Sequence, residues 1–170
     1  MNHAFSMTNL GLLSQFLGLE IAQSQHGIKV HQSNYDLYLM NKFNMKYFKP
    51  SKTPLLSWVK LEEASSYPMA NNTWYRQLIG CLLYLTHTLT DIYYVVSVDS
   101  RYMVQPHEIQ WRAAKRILNF VQGTRTHGIF YKAKFDLDLI GFTDSDWAGE
   151  NTYWNSTSGY VFMLAKGPII

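Results

Sequence analysis

Apolar residues recur at helical spacing through the middle of the chain, in three stretches that each carry one wide apolar stripe. The stretches cover residues 73–86, 90–103 and 106–122. Pro106 and Glu108 are residues that helix starts favour, and Gly123 is a natural stop. The pattern therefore predicts three consecutive core helices in this part of the chain.

The region before these helices alternates as a β-hairpin does. Residues 15–23 predict a first strand and residues 28–32 a half-buried return strand, with the reversal at Gln25-His26-Gly27. A helix over residues 34–44 is predicted next, capped by Ser33. Two prolines within residues 49–54 then predict an extended linker, and the polar residues 55–72 an irregular loop.

The chain after Gly123 returns to short strand patterns. One strand is predicted around residues 128–131, a second ends near Asp144, and a third covers residues 159–164. The last two strands are expected to pair antiparallel. The predicted fold class is therefore α+β: a β-hairpin, a helical bundle and then the first antiparallel strands of a sheet.

Two acids, Asp144 and Asp146, stand where the apolar pattern of the second of these strands stops. A strand places residues two apart on the same face, so both carboxylates could approach one Mg²⁺ ion, which prefers oxygen ligands. A polar turn with an acidic cap is the alternative, because Asp and Ser are ordinary turn residues. Spacing alone favours the turn.

Three cations share one side of the last predicted helix. Arg112, Lys115 and Arg116 are separated by three and four residues, which brings them onto neighbouring turns. Such a basic face could follow a phosphate backbone. A solvated helix surface is the commoner origin of such a charge pattern, and the spacing does not separate the two.

Composition sets broad limits on the class of protein. The chain has 170 residues, of which 47% are hydrophobic and 15% aromatic, as in a globular protein of one ordinary or two small domains. Its net charge of +3 permits nucleic-acid binding without requiring it.

The cysteine and histidine content indicates a compartment and excludes one kind of metal site. Cys81 is the sole cysteine and sits in an apolar helical pattern, so no intramolecular disulfide can form. The histidines have no zinc-ligand spacing. We find no secretory signal and no apolar run of the roughly 20 residues that span a bilayer. The expected location is intracellular, cytoplasmic or nuclear, without a membrane partner.

Two motifs near the C-terminal end carry a family resemblance. Residues 141–149, Gly-Phe-Thr-Asp-Ser-Asp-Trp-Ala-Gly, and 156–162, Ser-Thr-Ser-Gly-Tyr-Val-Phe, closely resemble the start of the ribonuclease H domain in copia-type retrotransposon Pol polyproteins. The resemblance continues upstream through residues 75–80, 83–86, 91–92 and 111–124, so it covers nearly the whole chain.

The resemblance implies a domain organisation and a nucleic-acid partner. Residues 1–32 would end the reverse-transcriptase palm with a primer-grip-like hairpin, residues 33–127 would form the helical thumb or connection, and residues 128–170 would begin ribonuclease H. The implied task is to hold an RNA–DNA hybrid or DNA primer-template duplex beside the remainder of the polyprotein. The implied nucleic-acid-binding residues are Leu17, Gly18, Arg112, Lys115 and Arg116. A plain hairpin explains the first two of these equally well.

The resemblance also implies an incomplete catalytic apparatus. Ribonuclease H uses two Mg²⁺ ions held by several carboxylates. Asp144 would be the first of these catalytic carboxylates, with Asp146 as a neighbouring metal ligand, and the others would lie beyond Ile170. The adjacent aspartates of a polymerase turn are absent from the sequence. The chain alone is therefore expected neither to polymerise DNA nor to cut RNA.

Two alternatives to a working piece of a polymerase remain open. One is a non-enzymatic nucleic-acid-binding or interaction module. The other is a transcribed transposon remnant without function. Trp154-Asn155 and Leu89 stand where family members usually carry basic residues, and loss of cations from motif positions suits a decaying copy.

Overall fold

The computed structural model describes residues 11–55, 61, 66–134, 138–146 and 157–169. Its described residues form two compact units. The sheet unit draws on Met1–Phe16, Ile21–Val30 and Ile129–Ile170, and the helical unit on Leu17–Glu20 and His31–Gly128. The predicted α+β class is confirmed, since the described part of the chain has four α-helices and antiparallel sheets.

The helical unit contains all four helices. They are α1 (Ser33–Lys42), α2 (Asn72–Leu85), α3 (Tyr93–Ser100) and α4 (Glu108–Gly123). Their apolar stripes meet in one core, in which Leu78, Leu82 and Leu118 are wholly inaccessible to solvent. A fully buried leucine contributes about 2 kcal/mol through the hydrophobic effect, so these stripes are the main stabilising feature of the unit.

Polar contacts fix the ends of these helices. The Asn71 side chain accepts a hydrogen bond of 3.0 Å from the backbone N–H of Trp74, which caps α2. The side-chain carbonyl oxygen of Gln110 accepts one of 2.8 Å from the N–H of His107, at the start of α4. The hydroxyl of Tyr75 donates across the core to the backbone carbonyl of Asp99, at 2.8 Å.

Three helix boundaries differ from the sequence prediction. The predicted helix over residues 90–103 is a 3₁₀ turn at Thr90–Ile92 followed by the shorter α3. Gly123 is the last residue of α4 and does not follow it. Ser33 does not cap α1, because Gln32 holds the cap position and the Ser33 hydroxyl donates instead to the Arg125 carbonyl, at 2.9 Å.

The strands form two antiparallel sheets. The first has the order β1 (Gln15–Phe16), β2 (Leu19–Ser24), β3 (Gly27–His31) and β4 (Ile129–Lys132). The second has the order β5 (Ile140–Asp146), β6 (Thr157–Leu164) and β7 (Gly167–Pro168).

The register of these strands tests two of the sequence predictions. The antiparallel pairing expected for the last two strands is confirmed, with Asp144 opposite Gly159. The single strand predicted over residues 15–23 is wrong: Leu17 (φ +48°) and Gly18 (φ +80°) form a left-handed turn that splits it into β1 and β2.

Candidate nucleic-acid interface

Helix α4 carries the predicted basic face, and its three cations have different surroundings. The Arg112 side chain is 71% exposed, and its Nε donates to Oε1 of Glu108 at 3.3 Å, one turn earlier. An exposed pair at this spacing contributes only about 0.3–0.5 kcal/mol. A phosphate can therefore displace the Glu108 carboxylate from Arg112 at little cost.

Lys115 and Arg116 are half-buried and positioned by residues that pack against α4. The Lys115 ammonium lies 5.4 Å from the ring centre of Trp111 and 6.0 Å from that of Phe48. A cation over an aromatic face is attracted by the negative charge of the ring face. The Arg116 guanidinium donates to the Thr53 hydroxyl at 3.1 Å. Packing against aromatic rings and Thr53 thus holds the charges of these two side chains in place.

The turn at Leu17 and Gly18 is the other predicted contact with nucleic acid, and it lies in the same helical unit as α4. The Leu17 side chain is 78% exposed, and its carbonyl accepts a hydrogen bond of 2.6 Å from the Tyr84 hydroxyl. A Cβ atom at Gly18 would collide with that same hydroxyl. The space next to Gly18 is therefore filled by Tyr84 of α2.

Tyr84 belongs to a row of aromatic rings that the sequence patterns did not single out. Its ring meets the edge of Tyr35 at 4.8 Å between centres, and Tyr35 stacks on the exposed Tyr38 at 5.8 Å. Burial, the largest cause, raises the pKa of Tyr35, so its hydroxyl stays neutral and a hydrogen-bond donor. The spacing of Tyr35 and Tyr38, three residues apart on one helix, is the signal that could have predicted their stacking.

The acids of the predicted metal site lie inside a strand. Asp144 and Asp146 belong to β5, so the polar turn favoured by spacing alone is wrong. Alternation along the strand puts both residues on one face, and the Asp144 side chain is exposed. The side chain of Asp146 lies outside the described residues.

The described residues around Asp144 supply too few ligands for two Mg²⁺ ions. Among the residues that the structure describes, no group of three or more His, Cys, Asp or Glu side chains could hold a metal ion. A pair of Mg²⁺ ions needs several carboxylates in one place.

Two other acids lie in the core of the helical unit, which the sequence did not indicate. Asp36 on α1 is 2% exposed, and burial, partly offset by Arg125, raises its pKa to about 7. Asp99 on α3 is 1% exposed, and burial raises its pKa to about 7 as well. Within the described chain neither carboxylate oxygen of Asp99 has a hydrogen-bond partner. Both acids therefore bear on stability through pH.

No helix in the described ranges is long and apolar enough to cross a membrane.

Comparison with known proteins identifies relatives by sequence similarity. No family model matches the chain, and no solved structure does. It is 37% identical over 169 residues to the retrovirus-related Pol polyprotein from transposon RE2 of Arabidopsis thaliana, covering 99% of this chain and 12% of that protein. An uncharacterized mitochondrial protein of the same plant is 33% identical over 165 residues, 96% of this chain and 68% of that protein.

A yeast relative extends the comparison beyond plants. The putative transposon Ty5-1 protein of Saccharomyces cerevisiae is 32% identical over 167 residues, which cover 97% of this chain and 54% of that protein. The chain is thus matched almost from end to end by each of these three relatives. It spans 12% of the length of the RE2 polyprotein, so it corresponds to a small part of that protein.

Proposed function

The chain belongs to the copia-type retrovirus-related Pol polyproteins of transposons, and from that membership we propose that it holds a primer-template duplex, RNA–DNA or DNA, during reverse transcription. The observation that carries the proposal is the basic face of α4. Arg112 is exposed beside the positioned Lys115 and Arg116, and Glu108, which forms an exposed pair with Arg112, is the one acid of α4. Three cations beside a single acid leave a net positive face that is attracted to phosphates, and phosphate contacts position a duplex without reading its sequence.

The proposal assigns each part of the chain a place in the polyprotein. Residues 1–32 are the end of the palm, residues 33–127 the thumb or connection, and residues 128–170 the first part of ribonuclease H. The four-helix packing of the middle part and the antiparallel β5–β6 pair support this assignment. The remainder of the Pol polyprotein is the proposed protein partner.

We propose further that the chain is catalytically incomplete by itself. Asp144 acts as a metal-binding carboxylate only when further acids of the polyprotein join it, because Mg²⁺ gives up its water ligands reluctantly. The expected result is no Mg²⁺-dependent cleavage of a labelled RNA–DNA hybrid by this chain. Cleavage that disappears on Asp144→Asn would contradict the proposal.

Fluorescence anisotropy with a labelled blunt RNA–DNA hybrid tests the duplex-holding role. Replacing Arg112, Lys115 and Arg116 together by Ala should weaken binding by about tenfold at low salt, because three phosphate contacts are lost. Glu108→Gln should tighten binding, since it releases Arg112 from its 3.3 Å ion pair. Lys132→Ala, an exposed lysine of the sheet unit, is the control and should change little.

The same titration separates the proposed role from the alternatives. A non-enzymatic nucleic-acid-binding or interaction module is the second candidate, because the basic face of α4 needs no catalytic site to contact phosphates. Binding of the hybrid without cleavage, in a chain tested with the rest of the polyprotein supplied, would favour that module. A folded protein that binds no nucleic acid would favour a remnant without function.

A further inference from the structure

A short segment rich in lysine lies along α4 and is attached to it at three points. We call residues 46–53 the basic segment. The amide of Gln122 donates to the Lys46 carbonyl at 2.9 Å, and the N–H of Ser51 donates to the Asn119 carbonyl at 3.1 Å. The third contact is the bond from Arg116 to the Thr53 hydroxyl. The segment therefore has a defined position beside the C-terminal half of α4.

The basic segment and the part of α4 that follows Glu108 contribute no acid to the surface they form. Lys46, Lys49 and Lys52 are all exposed. Residues 37–61 contain no Asp or Glu in the sequence, and neither do residues 109–123 of α4. The positive charge of the lysines is thus not neutralised by acids of these two stretches, which makes the surface complementary to a polyanion.

Two aromatic rings project from this surface. The Tyr47 side chain is 90% exposed and that of Phe48 is 51% exposed. Each ring has a lysine ammonium near it: that of Lys46 lies 5.7 Å from the Tyr47 centre, and that of Lys115 lies 6.0 Å from the Phe48 centre. Large apolar rings exposed among cations are the arrangement that stacks on nucleic-acid bases while the cations contact phosphates.

We propose that the basic segment, with Lys115 and Arg116, binds an unpaired nucleic-acid strand. The lysines contact its phosphates, and Tyr47 and Phe48 stack on its bases. Stacking on a ring needs a base whose face is free, and in a duplex the neighbouring base pairs cover those faces. This inference rests on the proposed function in one respect: the unpaired strand is the single-stranded template that continues from the duplex held by the same chain.

Two probes separate this inference from the proposed function. One is a fluorescein-labelled oligothymidylate and the other is the blunt RNA–DNA hybrid. Tyr47→Ala and Phe48→Ala should each weaken binding of the single strand by at least about fivefold and leave the blunt hybrid unchanged. Tyr47→Trp should restore single-strand binding, because it keeps a stacking ring. Tyr94→Ala, on α3 and 65% exposed, is the matched control and should change neither affinity.

Salt dependence gives an independent readout of the lysines. Replacing Lys49 and Lys52 by Ala should reduce the slope of log affinity against log salt for the single strand by about 1.4. An unchanged single-strand affinity in Tyr47→Ala would overturn the inference, as would an equal loss on both probes. A wild-type protein that fails to bind the blunt hybrid would overturn the proposed function instead, and the oligothymidylate data would then judge this surface separately.

Discussion

Replacing Asp99 by Asn is expected to raise the free energy of unfolding at pH 8 by about 2–4 kcal/mol and to leave it nearly unchanged at pH 4. Asp99 is 1% exposed, and its two carboxylate oxygens lack hydrogen-bond partners in the described chain. Its ionised form is therefore buried without compensation. Burial raises the pKa from an ordinary value of 3.8 to about 7.

The sign of this effect follows from proton linkage. A carboxyl group whose pKa is higher in the folded than in the unfolded protein makes the unfolded state bind fewer protons. Stability is then greatest below pH 4, falls as the pH rises towards about 7, and stays low above that pH. The amide that replaces the carboxyl group in Asp99→Asn carries no titratable proton. The free energy of unfolding should therefore fall much less with rising pH in that variant.

Chemical denaturation at pH 4, 6 and 8 measures the effect. Asp138→Asn serves as the control, because it makes the same substitution at an exposed aspartate. The pKa of Asp36 is also raised to about 7, so Asp36 too lowers the free energy of unfolding as the pH rises. This loss remains in the Asp99→Asn variant. Equal pH profiles for wild type and Asp99→Asn would show that Asp99 is not buried as described.

Gly18→Ala is expected to destabilise the folded protein by about 2–4 kcal/mol, for two reasons that add. Gly18 has φ +80°, which costs an L-residue with a Cβ about 1–2 kcal/mol. The new methyl group would also collide with the Tyr84 hydroxyl, and relieving that overlap costs a similar amount. The turn that carries the exposed Leu17 side chain should be displaced with it.

A double-mutant cycle separates the two causes. In the Tyr84→Phe background the hydroxyl is gone, so Gly18→Ala should cost only the backbone strain of about 1–2 kcal/mol. Gly80→Ala is the matched control: Gly80 lies in α2 with open space around its Cβ position, and Ala there should stabilise by about 0.5–1 kcal/mol. An identical cost for Gly18→Ala in both backgrounds would refute the contact with Tyr84.

Local sequence signals were sufficient for much of the fold. The helices α2 and α4 were predicted within two residues at either end, because long apolar stripes at helical spacing determine both the element and its buried face. The β5–β6 pairing also followed from pattern. The break in the strand at Leu17 was not predicted, because the alternation of apolar and polar residues over 15–23 continues across it. One isolated glycine, Gly18, does not by itself specify a turn.

The site was predicted only where its residues are near one another in sequence. Arg112, Lys115 and Arg116 share a helix, so spacing alone brought them together. The basic segment was interpreted as part of a linker, because its attachment to α4 depends on contacts such as that between Ser51 and Asn119, which are far apart in the chain. Asp144 was expected at the end of a strand, and the pairing with β6 that extends β5 through it is also non-local.

The salt dependence of hybrid binding tests the central claim most directly. The affinity of the wild-type chain for a blunt RNA–DNA hybrid should fall steeply and linearly on a log–log plot as salt rises. With Arg112, Lys115 and Arg116 replaced by Ala, the slope should be smaller in magnitude by about 2.7. A slope unchanged by the triple replacement, or a folded wild-type chain that does not bind the hybrid at low salt, would contradict the claim that α4 holds the duplex by its phosphates.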